Sequence, residues 1–333
     1  MATNEEFEKQ TAPHRREVLA LCYRMMGSIA DAEDALQDTW VRAWQAFERF
    51  DPTRASLRTW LHRIATNACL NALEGRRHRP LPSGLGHPPV TGDAPIARGA
   101  EDIPWLEPIP DALFGSRPKD PATELLARGE LRLAVVAATQ ILPPRQRAIL
   151  LLREVLELPA AEVAEALETT VAAVNSGLQR ARAQLNEAQV SSDDVLEPSA
   201  PERRALVEKY VAAFQRADID ALRALLTEDA LLEMPPLAIW LRGRVDYARF
   251  IERVFETRGR DWRTVVTAAN GQLAFAAYVA SGNGDYTLHT LQVLDVTARG
   301  ISRNVVFMDP RLMAQFGLAQ VLRRKGRPGD ALL

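Results

Sequence analysis

The placement of proline constrains this chain more than any other feature. Ten of its 21 prolines fall between positions 80 and 121: Pro80, Pro82, Pro88, Pro89, Pro95, Pro104, Pro108, Pro110, Pro118 and Pro121. Proline fixes φ and carries no amide donor, so this stretch can form neither a helix nor a central strand. It reads as an extended linker over residues 81–122. A second break, SSDDVLEPSAPE, spans Ser191 to Glu202. These cuts leave a front module at 1–80, a middle module at 123–190, a back module at 200–322 and a tail at 323–333. A chain of 333 residues has room for several such units at roughly 100–200 residues each.

The front module reads as all-helical. Val18, Leu19, Cys22, Met25 and Met26 recur at helical spacing and stop at Gly27, and Ser28-Ile29-Ala30-Asp31 then resembles a capping box. The next helix carries an apolar stripe of Ala32, Leu36, Trp40, Ala43, Trp44 and Phe47. Its opposite face bears Asp31, Glu33, Asp34 and Asp38. After a turn at Phe50-Asp51-Pro52-Thr53, a third helix is expected from about Ser56 to Arg77. In the middle module, Leu142-Pro143-Pro144-Arg145 opens a helix reaching Leu156. Segments Ala160–Leu167 and Val171–Leu185 then have the proportions of a helix-turn-helix. Val163, Leu167, Val171, Val174 and Leu178 are its expected core, with Ala164 at the close approach. Glu168 stands where the turn favours Gly, at a cost on the order of 1–2 kcal/mol for a left-handed residue.

Two faces carry recognition chemistry. On the second helix of the pair, Thr170, Ala172, Ala173, Asn175, Ser176 and Gln179 are short or polar side chains able to reach base edges in a major groove. Arg180 and Arg182 are available to phosphates. On the third front helix, Trp60, Arg63, Asn67 and Asn71 share one face, a mixture suited to unpaired bases. Between positions 54 and 79, six arginines (Arg54, Arg58, Arg63, Arg76, Arg77, Arg79) are opposed only by Glu74. This segment is therefore basic although the net charge of the chain is −2, a balance that excludes a generally basic DNA-coating protein. The acidic face on the preceding helix would repel DNA and suits a basic protein surface.

The back module changes character. Glu202–Leu226 and Asp246–Glu256 read as helices. Trp262–Ala268, Gln272–Ala280, Thr287–Val296 and Ile301–Phe307 are β-rich runs, separated by Asn270-Gly271, Gly282-Asn283-Gly284 and Arg299-Gly300. Helices packed on one curved antiparallel sheet are expected. Cys22 and Cys69 form neither a disulfide framework nor a zinc ligand set, and no cofactor or metal is expected. The polar N-terminus and the lack of any long apolar run lead to the expectation of a cytoplasmic protein away from membranes.

The stretches Asp31–Trp44 and Ser56–Asn71 resemble region 2 of extracytoplasmic-function sigma factors of the sigma-70 family. Leu142–Val155 and Ala160–Arg182 resemble region 4, in the right order. Pro104-Trp105-Leu106-Glu107-Pro108-Ile109-Pro110-Asp111 resembles a linker motif of the subgroup with a C-terminal SnoaL-like domain. Met234-Pro235-Pro236, Ala269-Asn270-Gly271-Gln272, Phe307-Met308-Asp309-Pro310 and Phe316-Gly317-Leu318 resemble that domain. The resemblance implies two all-α sigma domains joined by the Pro-rich linker, the second with a helix-turn-helix, followed by an α+β cone.

It also implies a factor that binds core RNA polymerase and directs promoter-specific initiation, with the cone modulating activity in cis. The helix bearing Asp31, Glu33, Asp34, Asp38, Trp40 and Arg42 would meet the β′ clamp, and the linker would run toward the RNA exit path, by the β subunit. The −10 element would fall to Arg54, Ser56, Arg58, Trp60, Arg63, Asn67, Asn71, Arg76 and Arg77. The −35 element would fall to the helix from Val171. Trp105 would anchor the cone.

Two alternatives stay open. A ligand-sensing helix-turn-helix regulator needs only the middle and back modules. A polyketide-cyclase-like enzyme needs only the back one, where Glu233, Asp229, Tyr210, Tyr278 and His289 are the candidate acid and base groups, without a defensible catalytic spacing. A small ligand in the cone is compatible with the first reading as well. The glycine-rich Asp-Gly-Gly-Gly-Lys motif of another subgroup is missing from the sequence.

Overall fold

A computed structural model describes residues 3–95, 100, 102–115, 131–187, 201–282 and 284–324. Pro118, Pro121, Asn283 and the break at 191–200 lie outside them. The chain divides into two compact units. One contains Met1–Pro80 and Pro104–Ser191, the other Leu81–Ile103 and Ser192–Leu333.

In the first unit, α1 (Asn4–Thr11), α2 (Arg15–Met26), α3 (Ile29–Ala46) and α4 (Leu57–Ala72) form the front bundle. Helix α2 stops at Gly27, as its pattern predicts, and Ser28 Oγ accepts from the Asp31 amide at 3.4 Å. The stripe on α3 is buried at Ala32, Leu36 and Ala43. Trp44 instead remains 41% exposed, with its ring edge on Phe7 at 5.3 Å. Helix α4 ends at Ala72 rather than near Arg77. Leaving the helix lets Arg76 and Arg79 turn back to one carboxylate, Asp31, on α3.

The middle helices are α5 (Leu133–Gln140), α6 (Pro144–Leu150), α7 (Ala160–Ala166) and α8 (Val171–Glu187). The expected single helix to Leu156 is α6 followed by a wider π-type turn over Leu151–Val155. Helices α7 and α8 form the helix-turn-helix, and Glu168 adopts the left-handed backbone its position demands (φ +49). Val163, Leu167, Val174 and Leu178 are buried, but Val171 is 44% exposed. It is the first residue of α8, where the helix has only begun to pack.

In the second unit, the run read as one helix from Glu202 to Leu226 is α9 (Pro201–Gln215) and α10 (Ile219–Leu225). The chain breaks at Ala217 (φ +51), and Asp218 caps α10 by accepting from the Ala221 amide at 3.0 Å. After these come β1 (Leu226–Glu233), β2 (Trp240–Arg242), α11 (Arg244–Arg258), β3 (Trp262–Ala269), β4 (Gln272–Ala280), β5 (Tyr286–Thr297), β6 (Gly300–Phe307), α12 (Pro310–Gln315) and β7 (Val321–Leu322).

The strands form one sheet in the order β2-β1-β6-β5-β4-β3, with β7 pairing β5. The sheet is mixed, not wholly antiparallel as the hairpin signals suggested. β1 runs parallel to β6, with Leu232 opposite Asn304 and Glu233 opposite Val305. The sequence LTEDALLE of β1 is rich in helix formers, and pairing and burial override that local preference. Helices α9 and α11 pack against the sheet, and α10 packs against both helices. Tyr210, Phe214, Tyr247, Phe255, Trp262 and Phe275 fill the space between.

The expected linker does not behave as one extended piece. Leu106 N donates to Pro80 O at 3.1 Å, which closes a neck, and residues 81–103 form an excursion that belongs to the second unit. The prolines exclude regular structure, yet the backbone polar groups still need partners. Ser83 N donates to Glu233 Oε1 (3.0 Å), Val90 N to Trp240 O (2.9 Å), and Gly92 N to Asp246 Oδ1 (2.9 Å). Among the described residues, no helix is long and apolar enough to cross a membrane.

Candidate nucleic-acid interface

Helix α8 presents the face expected to read duplex. Ala172, Asn175, Gln179, Arg180 and Arg182 are exposed, and Ala173 and Ser176 are partly so. Thr170 Oγ1 accepts from the Ala173 amide at 3.1 Å, capping the end that would enter a groove. Ser176 Oγ donates back to Ala172 O at 2.9 Å, and Arg182 pairs with Glu154.

The face on α4 is engaged. Arg63 Nη1 lies 3.0 Å from Glu165 Oε1 on α7, Arg54 lies 3.6 Å from the same oxygen, and Asn67 Nδ2 donates weakly to Ala166 O at 3.4 Å. Asn67 and Asn71 line a cleft of about 840 Å³ with Pro143, Arg145 and Leu167 on its other wall. Trp60 rests on Phe50 (5.0 Å between ring centres) and Phe47 (6.4 Å), beside Ser56, whose hydroxyl caps α4 by accepting from Thr59 N at 3.0 Å. Arg58 grips Glu17, a carboxylate only 3% exposed, with Nε at 2.8 Å and 3.0 Å from its two oxygens. Arg76 pairs with Asp31 at 3.0 Å, and Arg77 is exposed.

On α3, Glu33 and Asp34 are exposed, Asp38 pairs with Arg42 one turn on at 2.8 Å, and Trp40 lies under the Arg15 guanidinium at 5.6 Å. Asp31 differs from them. Burial alone would raise its pKa, but hydrogen bonds from Arg79 and Arg76 carry it below the ordinary aspartate value.

Sequence reading missed the residues that hold the two helical modules together. Arg147 is 2% exposed, and its guanidinium donates to Thr139 O, Gln140 O, Gln140 Oε1 and Leu142 O, and to Met25 O at the end of α2. Burial brings its pKa down to about 10, so it stays charged at neutral pH. Gln140 Nε2 donates to Arg24 O at 3.0 Å. Both residues thus sit on the negative end of the α2 dipole. An arginine inside an apolar helical pattern is the one available signal, since it must bring its acceptors with it.

Three family models match: Sigma-70 region 2 over residues 12–79, Sigma-70 region 4 over residues 132–185, and a SnoaL-like domain over residues 207–322. The ECF RNA polymerase sigma factor SigG of Mycobacterium tuberculosis (strain ATCC 25618 / H37Rv) is 47% identical over 319 residues, covering 95% of this chain and 85% of that protein. The chain belongs to the ECF RNA polymerase sigma factor family. SigJ of the same organism is 27% identical over 298 residues, covering 86% of this sigma factor and 85% of that protein. The crystal structure of M. tuberculosis SigJ matches with a TM-score of 0.64 at 22% identity, over 93% of this chain and 99% of that one, which supports the fold. Both of these relatives, which match along most of this sigma factor, are ECF RNA polymerase sigma factors.

The acid and base candidates in the SnoaL-like domain do not converge. Asp229 is exposed. Tyr278 packs with Ala276 and Tyr286, away from the cluster that holds Tyr210. Tyr210 and Tyr247 share a hydroxyl contact joined by Asn304 Nδ2, which is 2.8 Å from Tyr247 Oη. Burial pushes the Tyr247 pKa to about 12 and that of Tyr210 well above its ordinary value. His289 does not share the simple alternation expected of its strand. Ala277 pairs with Thr290 and Tyr278 with Leu288, so His289 is the extra residue of a bulge, its ring 5.5 Å from that of Trp262. Burial and then Arg258 lower its pKa to about 4. Glu233 is fully buried, with Ser83 N on one oxygen and Arg303 Nε 3.5 Å from the other. Trp105 lies in the first unit, half-buried, where its carbonyl accepts from Arg79 Nη1 at 3.0 Å.

Proposed function

We propose that this sigma factor joins core RNA polymerase through the exposed acidic face of α3 and selects promoters with two separate readers. Helix α8 reads duplex at the −35 element, while Arg63, Asn67 and Asn71 on α4 hold unpaired bases of the −10 element. The observation that carries this reading is the contrast between the two faces. The α8 face is capped and open to solvent, whereas the α4 face meets α7 of the other helical module. A reader of intact DNA can search alone. A reader of melted DNA is useful only after the helical modules part, and docking on a large partner supplies the energy to part them. Neither reader forms or breaks a covalent bond.

In this reading the SnoaL-like domain modulates the factor in cis through the linker. Residues 83–94 lie on β2 and α11, held by Glu233, Asp246, Arg253 and the Arg249–Asp93 ion pair (3.0 Å). A linker drawn toward the RNA exit path must leave that seat. Tyr210, Phe214, Tyr247, Phe255, Trp262 and Phe275 pack the core of this domain, and its acid and base candidates do not converge, which favours a protein-binding role over a catalytic one. Run-off transcription with purified core polymerase tests the whole reading. Promoter-dependent transcript is expected. A tight shift of duplex DNA by the protein alone, with no transcript, would favour a one-component regulator instead.

A further inference from the structure

The segment after the neck, residues 104–114, is built into region 2. Leu106, Ile109 and Phe114 are fully buried. Tyr23 Oη donates to Glu107 O at 2.7 Å, and Glu107 N donates to Gly27 O at 3.0 Å. The Glu107 side chain then reaches the start of α3, where Oε2 accepts from Ile29 N at 3.1 Å. The first turn of a helix leaves amides without intrahelical partners, and a carboxylate there also meets the positive end of the dipole. Ser28 serves one of those amides with a long bond of 3.4 Å, and Glu107 serves another from far along the chain. Arg79 ties this arrangement together. Nη1 donates to Trp105 O, Nη2 lies 2.6 Å from Asp31 Oδ2, and Arg76 holds the other Asp31 oxygen.

We infer that Glu107 and Arg79 are positioning residues for polymerase docking. Together they fix the first turn of α3, and so the direction in which Glu33 and Asp34, the next acidic residues along that helix, are presented. The strap at 104–109 thereby makes the grip on polymerase depend on the state of the linker. The inference rests on α3 being the docking helix.

The test uses the full-length chain with Glu107→Gln, which keeps size and an acceptor oxygen but removes the charge. Core polymerase affinity is measured by fluorescence titration, and amide hydrogen exchange is followed over residues 29–34. Faster exchange there is expected, with affinity about two- to fivefold weaker. Affinity of the free protein for −35 duplex should be unchanged. Ile109→Val serves as a comparison, since it loosens the same strap without touching the carboxylate. It should lower thermal stability while leaving core affinity within twofold. Unchanged exchange in Glu107→Gln would overturn the cap. Faster exchange with unchanged affinity, or equal affinity loss in Ile109→Val, would overturn the positioning role. The double substitution Glu33→Lys with Asp34→Lys separates the two levels. If it leaves core affinity intact, the docking reading falls and this inference falls with it. If it abolishes binding while Glu107→Gln changes nothing, only the inference falls.

Discussion

At the residue scale, buried charge sets the behaviour of the first unit. Arg147 satisfies its guanidinium with backbone carbonyls and one amide, with no carboxylate among those partners. Arg147→Met removes the donors and strands several buried acceptors. It should lower stability by about 3 kcal/mol, read as a shift in the denaturant midpoint at unchanged slope. His62 is a second case. It is 1% exposed, with Nδ1 2.7 Å from Arg58 O. Burial lowers its pKa below 6.5, outweighing the opposing pull of Glu17. A histidine depressed in the folded state adds stability above its unfolded pKa, and that stability is lost as pH falls from about 6.5 toward the folded value. Stability should therefore decline below about pH 6.5, and less steeply in His62→Gln. Equal slopes for the two proteins in pH-dependent unfolding would disprove this assignment.

At the scale of elements, the contacts that matter are those made by pieces with little regular structure of their own. Gly92 shows this for the excursion. A Cβ there would meet Asp246 O at 2.5 Å and Arg249 Cβ at 2.8 Å. Gly92→Val should release residues 83–94 from α11, seen as faster hydrogen exchange in that segment with the sheet still protected. Helix α7 poses the matching question for α4. Glu165→Ala removes the partner of Arg63 and Arg54, and should raise affinity for a single-stranded −10 oligonucleotide in the absence of polymerase by about two- to threefold, the scale of an exposed ion pair.

The same scale explains what could be read from the sequence. The helix-turn-helix was legible down to the strained Glu168, because a turn of fixed length leaves its residues little choice. The β4, β5 and β6 hairpins were legible from their Gly-containing turns. β1 was not, since LTEDALLE favours a helix until β6 lies beside it. The Glu107–Ile29 and Arg147–Met25 bonds were not, since those partners lie 78 and 122 residues apart along the chain.

At the scale of the whole molecule, the factor combines two helical sigma-70 regions with a domain of a different fold. Removing residues after 200 takes away the seat of the excursion, and run-off transcription from a panel of promoters should change in yield or preference. Identical output across the panel would exclude modulation in cis. The order of synthesis follows from the way the excursion is seated. Gly92 leaves the ribosome long before Asp246, which lies 154 residues later and receives its amide. Until Glu233 and Asp246 have been made, residues 83–94 lack the partners that seat them. A product truncated before Glu233 would carry residues 83–94 as bare chain, open to proteases.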